Sequence, residues 1–212
     1  MKTQSTGNRK KKHNQAPDAK AEIRRRVTDR LGGVSKCSVL ETHSGPGTMR
    51  RLVYGGARDW LGIDSDVASP DAIHADNVLV LRAIDLGRFN LFDVDAFGMP
   101  WHQLWLVGQR RHVRRGERIG LAITSGASGR IMVRPPDLKF AGWSTQMLSA
   151  MGIDNIDVKH RFYTGRRFAN QTAQLFVRSW FPSCMIDYWA SSDVENTVWY
   201  FGCVLKGVGH AA

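Results

Sequence analysis

The chain reads as an α/β protein: a mostly parallel sheet flanked by helices, with a C-terminal antiparallel β-hairpin. Three observations predict this. From Lys36 onward, short apolar runs alternate with stretches of helical periodicity, the pattern of buried strands joined by helical crossovers. The first run ends in a glycine turn, Ser44-Gly45-Pro46-Gly47, set between strand and helix as in Rossmann-like sheets. The tail supplies two β-rich runs, residues 184–189 and 197–205, separated only by polar residues.

Taken in order, residues 1–19 are polar and include Arg9-Lys10-Lys11-Lys12. They bury too little apolar surface to offset ordering entropy and are expected to be disordered. Ala21, Ile23, Val27 and Leu31 then recur at helical spacing beside Arg24-Arg25-Arg26 and Arg30, until Gly32-Gly33 stops the helix. Residues 1–33 are therefore read as a basic arm ending in a short helix, and 34–212 as the folded domain. The arm carries ten Lys/Arg against three Asp/Glu, or +7, while the rest carries twenty against sixteen, or +4. Such asymmetry suits a polyanionic partner, because Lys and Arg displace counterions condensed on phosphates. Lys10, Lys11, Lys12, Arg24, Arg25 and Arg26 are the candidate phosphate contacts in the arm.

Within the domain, residues 38–42 form the first expected strand. Thr48 is placed to cap a helix running to the breaker Gly55-Gly56. Strands are expected at 60–64, 89–95 and 118–124, and helices at 77–83, 101–113, 143–151 and 170–180. No apolar run reaches the length of a membrane span, and the Lys-rich N-terminus lacks a secretory apolar stretch, so a cytoplasmic protein is expected. Cys37, Cys184 and Cys203 are odd in number and lack C-x-x-C spacing, which argues against a disulfide framework or a metal site.

Four features lie at successive expected strand ends, where open α/β sheets bind ligands. Glu41 precedes the glycine turn, whose Gly45 and Gly47 allow close backbone approach. The turn lacks the third glycine of a dinucleotide fingerprint and the Gly-Lys-Ser/Thr ending of a P-loop. A carboxylate there suits a ligand bearing an amino group and a positive sulfonium. Asp64 closes the second strand about twenty residues on, where an acid accepts ribose hydroxyls. Asp76, in His74-Ala75-Asp76-Asn77, is placed to meet an adenine amino group. Last, Asp93-Val94-Asp95-Ala96-Phe97-Gly98-Met99-Pro100 sets two acids in an apolar strand, costly unless paired or functional. Alternation puts Asp93 and Asp95 on one face, with Asp95 nearer the open end and Phe97 able to stack on a planar ring.

The order of these segments, across residues 36–206, resembles a class I S-adenosylmethionine-dependent methyltransferase. The last segment is similar to the Asp-x-Asp-Pro-Phe-Gly-Ser-Pro motif of tRNA guanine-N2 dimethyltransferases, with Ala96 where that motif has proline and Met99 where it has serine. The resemblance implies a Rossmann-like fold binding S-adenosylmethionine, with Glu41, Ser44, Gly45 and Gly47 around the methionine end. It further implies Asp64 at the ribose, Asp76 at the adenine, Asp93 both at the cofactor and in the catalytic set, and Asp95 with Phe97 facing the base to be methylated. RNA is favoured over DNA on this ground. Arg166 and Arg167, interleaved with aromatics, are further candidate nucleic-acid contacts, and Arg110, Arg111, Arg114, Arg115 and Arg118 could also line the substrate. Three function classes follow: a nucleic-acid methyltransferase, a small-molecule or protein methyltransferase, and a nucleic-acid-binding protein on a degenerate Rossmann domain.

Overall fold

The computed structural model describes residues 17–66, 70–96, 100–125, 166–194 and 198–209. Seven strands form one sheet: β1 (Ser38–Glu41), β2 (Asp59–Asp64), β3 (Ala72–His74), β4 (Leu91–Asp95), β5 (Arg118–Ser125), β6 (Cys184–Val194) and β7 (Val198–Gly207). Their spatial order is β3-β2-β1-β4-β5-β7-β6. β1 to β5 pair in parallel, whereas β7 runs antiparallel between β5 and β6. Chain order reverses between β1 and β4, so the crevice beyond their carboxyl ends is where this architecture binds ligands.

Period-two alternation divides the side chains between the sheet's faces. Leu40, Phe92, Ile119, Leu121, Ile123, Phe201 and Leu205 join the larger core with helices α2 (Asn77–Ala83), α3 (Trp101–Arg110) and α4 (Arg166–Trp180). In α3, Gly108 lets α4 approach closely, since an added Cβ would lie 2.5 Å from the Trp180 carbonyl oxygen. Val39, Leu91 and Val204 face the other way, toward helix α1 (Pro17–Arg30).

This helix corrects the expected domain boundary. Residues 17–33 are no arm set apart from the domain: α1 buries Ala21, Ile23 and Val27 against the sheet. Two glycines make room for it, because a Cβ at Gly120 would lie 2.6 Å from Val27 Cγ1 and one at Gly202 2.8 Å from Val27 Cγ2. Gly32 and Gly33 end the helix with φ of 95° and 99°, a left-handed backbone that only glycine adopts readily.

Other differences are local. The segment after the glycine turn closes as a π-helical turn, Arg50–Tyr54, without a side-chain cap from Thr48. β3, only three residues long, was too short to stand out as a periodic run. Helix α3 stops at Arg110 because Arg111 turns inward, donating from Nε to the Phe89 carbonyl (3.1 Å) and pairing with Glu117. The helix expected at 143–151 lies outside the described residues.

Candidate active site

At the carboxyl end of β1 the backbone leaves the sheet through Thr42, His43 and Ser44 into Gly45 (φ 49°) and Gly47 (φ 74°). Ser44 N–H donates to the Ile63 carbonyl (3.0 Å), and Gly45 N–H donates to Asp64 Oδ2 (2.8 Å), tying the turn to the end of β2. Asp64 Oδ1 accepts from Asp66 N–H (2.9 Å), so the carboxylate is held in orientation through both oxygens. A Cβ added to Gly45 would meet nothing within 4 Å among the described residues. Ser44 Oγ is buried and has no hydrogen-bond partner among the described residues. Trp60 packs across Gly62 with Arg50 over its ring at 4.5 Å, and donates Nε1–H to Glu41 Oε2 (3.1 Å).

A polar chain borders the turn. Gln103 Nε2 donates to Asn77 Oδ1 (3.2 Å), and Asn77 Nδ2 lies 2.8 Å from His43 Nε2. His43 Nδ1 in turn lies 2.9 Å from Thr42 Oγ1. An imidazole that accepts at Nε2 and donates from Nδ1 is neutral, in keeping with burial that pulls the His43 pKa down. Gln103 Oε1 is a second buried acceptor without a partner among the described residues.

Across the switch point, β1 and β4 set Glu41 beside Asp93 in register. Asp93 is fully buried and clamped: Arg24 Nη2 and Nε donate to its two oxygens at 2.5 and 2.6 Å, and the Tyr54 hydroxyl donates at 2.8 Å. Arg24 also donates to Thr124 Oγ1 (3.2 Å) on β5. One helical turn earlier, Lys20 donates to Asp95 Oδ2. The i, i+4 spacing of Lys20 and Arg24 on α1 thus matches the i, i+2 spacing of Asp93 and Asp95 on β4. Asp95 alone of the two acids reaches the surface, with 14% of its side chain exposed against 0% for Asp93.

Electrostatics separate Glu41 from Asp95. Burial raises the Asp95 pKa, but the charges of Lys20 and Arg24 outweigh it and hold Asp95 below its ordinary value. Burial, with the charges of Asp93 and Asp95, pushes Glu41 well above its ordinary value against the pull of Arg24 and the Trp60 N–H. Lys20 and Arg24 are paired to Asp95 and Asp93, and among the described residues no cation is paired to Glu41. A positively charged ligand group would supply one.

The structure brings Glu41, Ser44, Gly45, Gly47, Asp64, Asp93 and Asp95 to one end of the sheet. Asp76 starts α2, where its Oδ1 accepts from Val78 N–H (2.7 Å) and Leu79 N–H (3.1 Å), so it serves as a helix cap. Two roles need correction. Asp93, sealed by Arg24 and Tyr54, has no exposed surface to offer a reacting base. Arg24, also fully buried, faces Asp93 and is no phosphate contact.

Arg25 and Arg26 are exposed, with Arg26 paired to Glu22. The arginines at 110–118 precede or begin β5, at the opposite end of the sheet from the site. Among them Arg110 donates to the Ile84 carbonyl (3.1 Å), and Arg118 pairs with Asp187. Phe97, Lys10, Lys11, Lys12 and the side chains of Arg166 and Arg167 lie outside the described residues. Sequence reasoning missed Lys20, Tyr54 and Trp60. Only the i, i+4 spacing of Lys20 and Arg24 hinted at the first.

Neither a protein-family model nor a curated protein matches the sequence. Solved structures do match. Trm1 from Pyrococcus horikoshii, in complex with S-adenosyl-L-methionine, aligns over 92% of this chain and 57% of its own, with TM-score 0.53 and 13% identity. The putative methyltransferase yhhF from Escherichia coli aligns over 88% and 86% (TM-score 0.47, 10% identity). The 1,6-didemethyltoxoflavin-N1-methyltransferase of Burkholderia thailandensis aligns over 90% and 78% (0.47, 12%). The chain has the Rossmann-like fold of the S-adenosylmethionine-dependent methyltransferases.

Proposed function

We propose that the protein is an S-adenosylmethionine-dependent methyltransferase acting on an exocyclic amine of a nucleic-acid base, with RNA the favoured polymer. The observation that carries this reading is Asp95: an ionised carboxylate at the open end of β4, across the switch point from the glycine turn. The neighbouring groups fit the cofactor. Among the described residues, nothing stands within 4 Å of a Cβ added to Gly45, Ser44 Oγ has no hydrogen-bond partner, and no cation is paired to Glu41, features that suit a cationic ligand held against backbone. Glu41, Ser44, Gly45 and Gly47 would hold the methionine end, and Asp64 the ribose.

S-adenosylmethionine, when bound, supplies an electrophilic methyl group on a positive sulfur. The protein's task is to align the nucleophile and exclude water. Asp95 accepts an N–H of the acceptor amine, orienting its lone pair and stabilising the positive charge that develops on nitrogen. Glu41 and Asp64 orient, and they take no part in bond making. A base within a duplex must be unpaired or flipped to reach Asp95. RNA is favoured by the similarity of residues 93–100 to the guanine-N2 motif, while the basic N-terminal residues suit a nucleic acid of either kind.

A second reading, a small-molecule amine as acceptor, draws support from the burial of Lys20 and Arg24, which removes two cations from the basic segment. Calorimetry with S-adenosylmethionine on the wild type and Asp64→Ala tests the cofactor, with weaker binding expected in the variant. Labelled methyl transfer onto RNA, DNA and small-amine pools then separates the acceptors. No binding by the wild type, with or without nucleic acid, overturns the methyltransferase reading.

A further inference from the structure

We propose that Lys20 is a positioning residue of this site, balancing the charge of Asp95 so that the acceptor admitted there is an electroneutral N–H rather than an ammonium. The inference rests on the methyltransferase reading and narrows its substrate class. Lys20 is only 2% exposed, although lysine is among the side chains least often buried, and its ammonium is spent on Asp95.

The placement is built into the fold. Arg24, one turn along α1, anchors the helix through its two-pronged contact with Asp93, and Gly120 and Gly202 seat Val27 close against the sheet. Rotation or sliding of α1 would break both ion pairs at once.

The groups facing Asp95 act together. Lys20 and Arg24 approach from α1, the latter with Nη2 at 4.0 Å from Oδ1. Thr124 on β5 lies beside Asp95 in register, and the titration of Tyr200 on β7 is raised by burial and by the charge of Asp95. Among the described residues, Glu41 and His43 on the β1 side also feel the charge of Asp95.

In this setting a protonated alkylamine would bring a third cation toward Lys20 and Arg24, at short range and shielded from water, where like charges repel strongly. A neutral aromatic amine or amide hydrogen-bonds to Asp95 without that penalty. It also arrives with its nitrogen lone pair intact, whereas an ammonium must first lose a proton.

Carboxyl-13C NMR of aspartate-labelled protein tests the coupling without cofactor, with Asp95→Asn to assign the signal. In Lys20→Met the Asp95 resonance is expected to titrate at higher pH than in the wild type, and Lys20→Arg to restore it. The acid limb of the pH profile for methyl transfer to RNA should move by the same amount. Turnover at its acidic end would fall about tenfold per pH unit moved. Transfer to a lysine-containing peptide, relative to RNA, should rise in Lys20→Met. Lys20→Gln replaces Lys20→Met if the latter does not fold. An unmoved Asp95 titration, an unmoved acid limb or an unchanged peptide-to-RNA ratio overturns the proposal. If the wild type transfers methyl to no acceptor, the methyltransferase reading fails, while the NMR titration still decides whether Lys20 controls Asp95.

Discussion

Glu41 and Asp95 sit on neighbouring strands, and although burial raises both titrations, the charges of Lys20 and Arg24 bring Asp95 below its ordinary value while Glu41 stays well above. The consequence for stability runs in opposite directions. Asp95, held low, contributes stability that is present above its unfolded value and is lost as pH falls through the folded one. Glu41, held high, favours folding below its ordinary value of 4.5 and works against it as pH rises toward the folded value. Glu41→Gln, which keeps the hydrogen-bonding shape without the charge, should therefore raise the melting temperature at alkaline pH, with the gain vanishing below about pH 4.5. The same change removes the charge offered to a cationic ligand and should weaken S-adenosylmethionine binding in calorimetry. Equal melting curves at both ends of the pH range would refute this account of Glu41. Asp95→Asn keeps the side chain's size but loses its charge. It should lower methyl transfer about 100-fold or more while leaving cofactor affinity within a few-fold. At this scale the sequence located the acids but not their division of labour. Alternation put Asp93 and Asp95 on one face, yet depth assigns Asp93 to the interior, and depth depends on α1, from the far end of the chain.

Helix α1 is the element the sequence disguised. Its apolar stripe was legible, but three consecutive arginines and the basic run upstream made it look like part of a solvated arm. Charged side chains are rarely buried unless paired, and the partners of Lys20 and Arg24 lie some seventy residues away in sequence, at separations of 75 and 69. β1, β2, β4, β5 and β7, by contrast, were legible from the apolar runs within them. β6 extends to Val194 through polar residues beyond the run ending at 189, and β3 was lost because three residues carry no period. Two measurements test the importance of α1. Gly120→Ala thrusts a methyl group against Val27, Leu91 and Leu31, all within 2.9 Å of the added Cβ, and should destabilise by about 1–3 kcal/mol in urea unfolding. Removing residues 1–33 strips Arg24 from the buried Asp93, a loss of about 3–5 kcal/mol before the lost apolar contacts are counted. Set against a typical domain stability of about 5–15 kcal/mol, that truncation should show no cooperative unfolding transition. A truncated protein that melts like the full chain would restore the boundary at residue 33.

The charge of the whole molecule takes on a different meaning once α1 is in place. The formal +11 is concentrated in residues 1–33, where ten Lys/Arg stand against three Asp/Glu. Two of those ten, Lys20 and Arg24, are consumed by Asp93 and Asp95, so eight are left to meet a polyanion. Residues 1–16 hold five of them, and Arg25 and Arg26 are exposed on α1. If RNA is the acceptor polymer, binding should weaken steeply with salt, because each neutralised phosphate releases counterions. Deleting residues 2–16 should then flatten the plot of log affinity against log salt, by about 0.7 for each lost contact on single-stranded RNA. Arg25→Ala combined with Arg26→Ala should flatten it less. Arg24→Ala should lower the melting temperature, because its charge already belongs to Asp93. Filter binding at several salt concentrations, alongside thermal melts, makes the comparison. A salt slope unchanged by the deletion would detach the basic segment from substrate binding. The acceptor would then be sought among small neutral amines, which need the Asp95 site but no phosphate contacts.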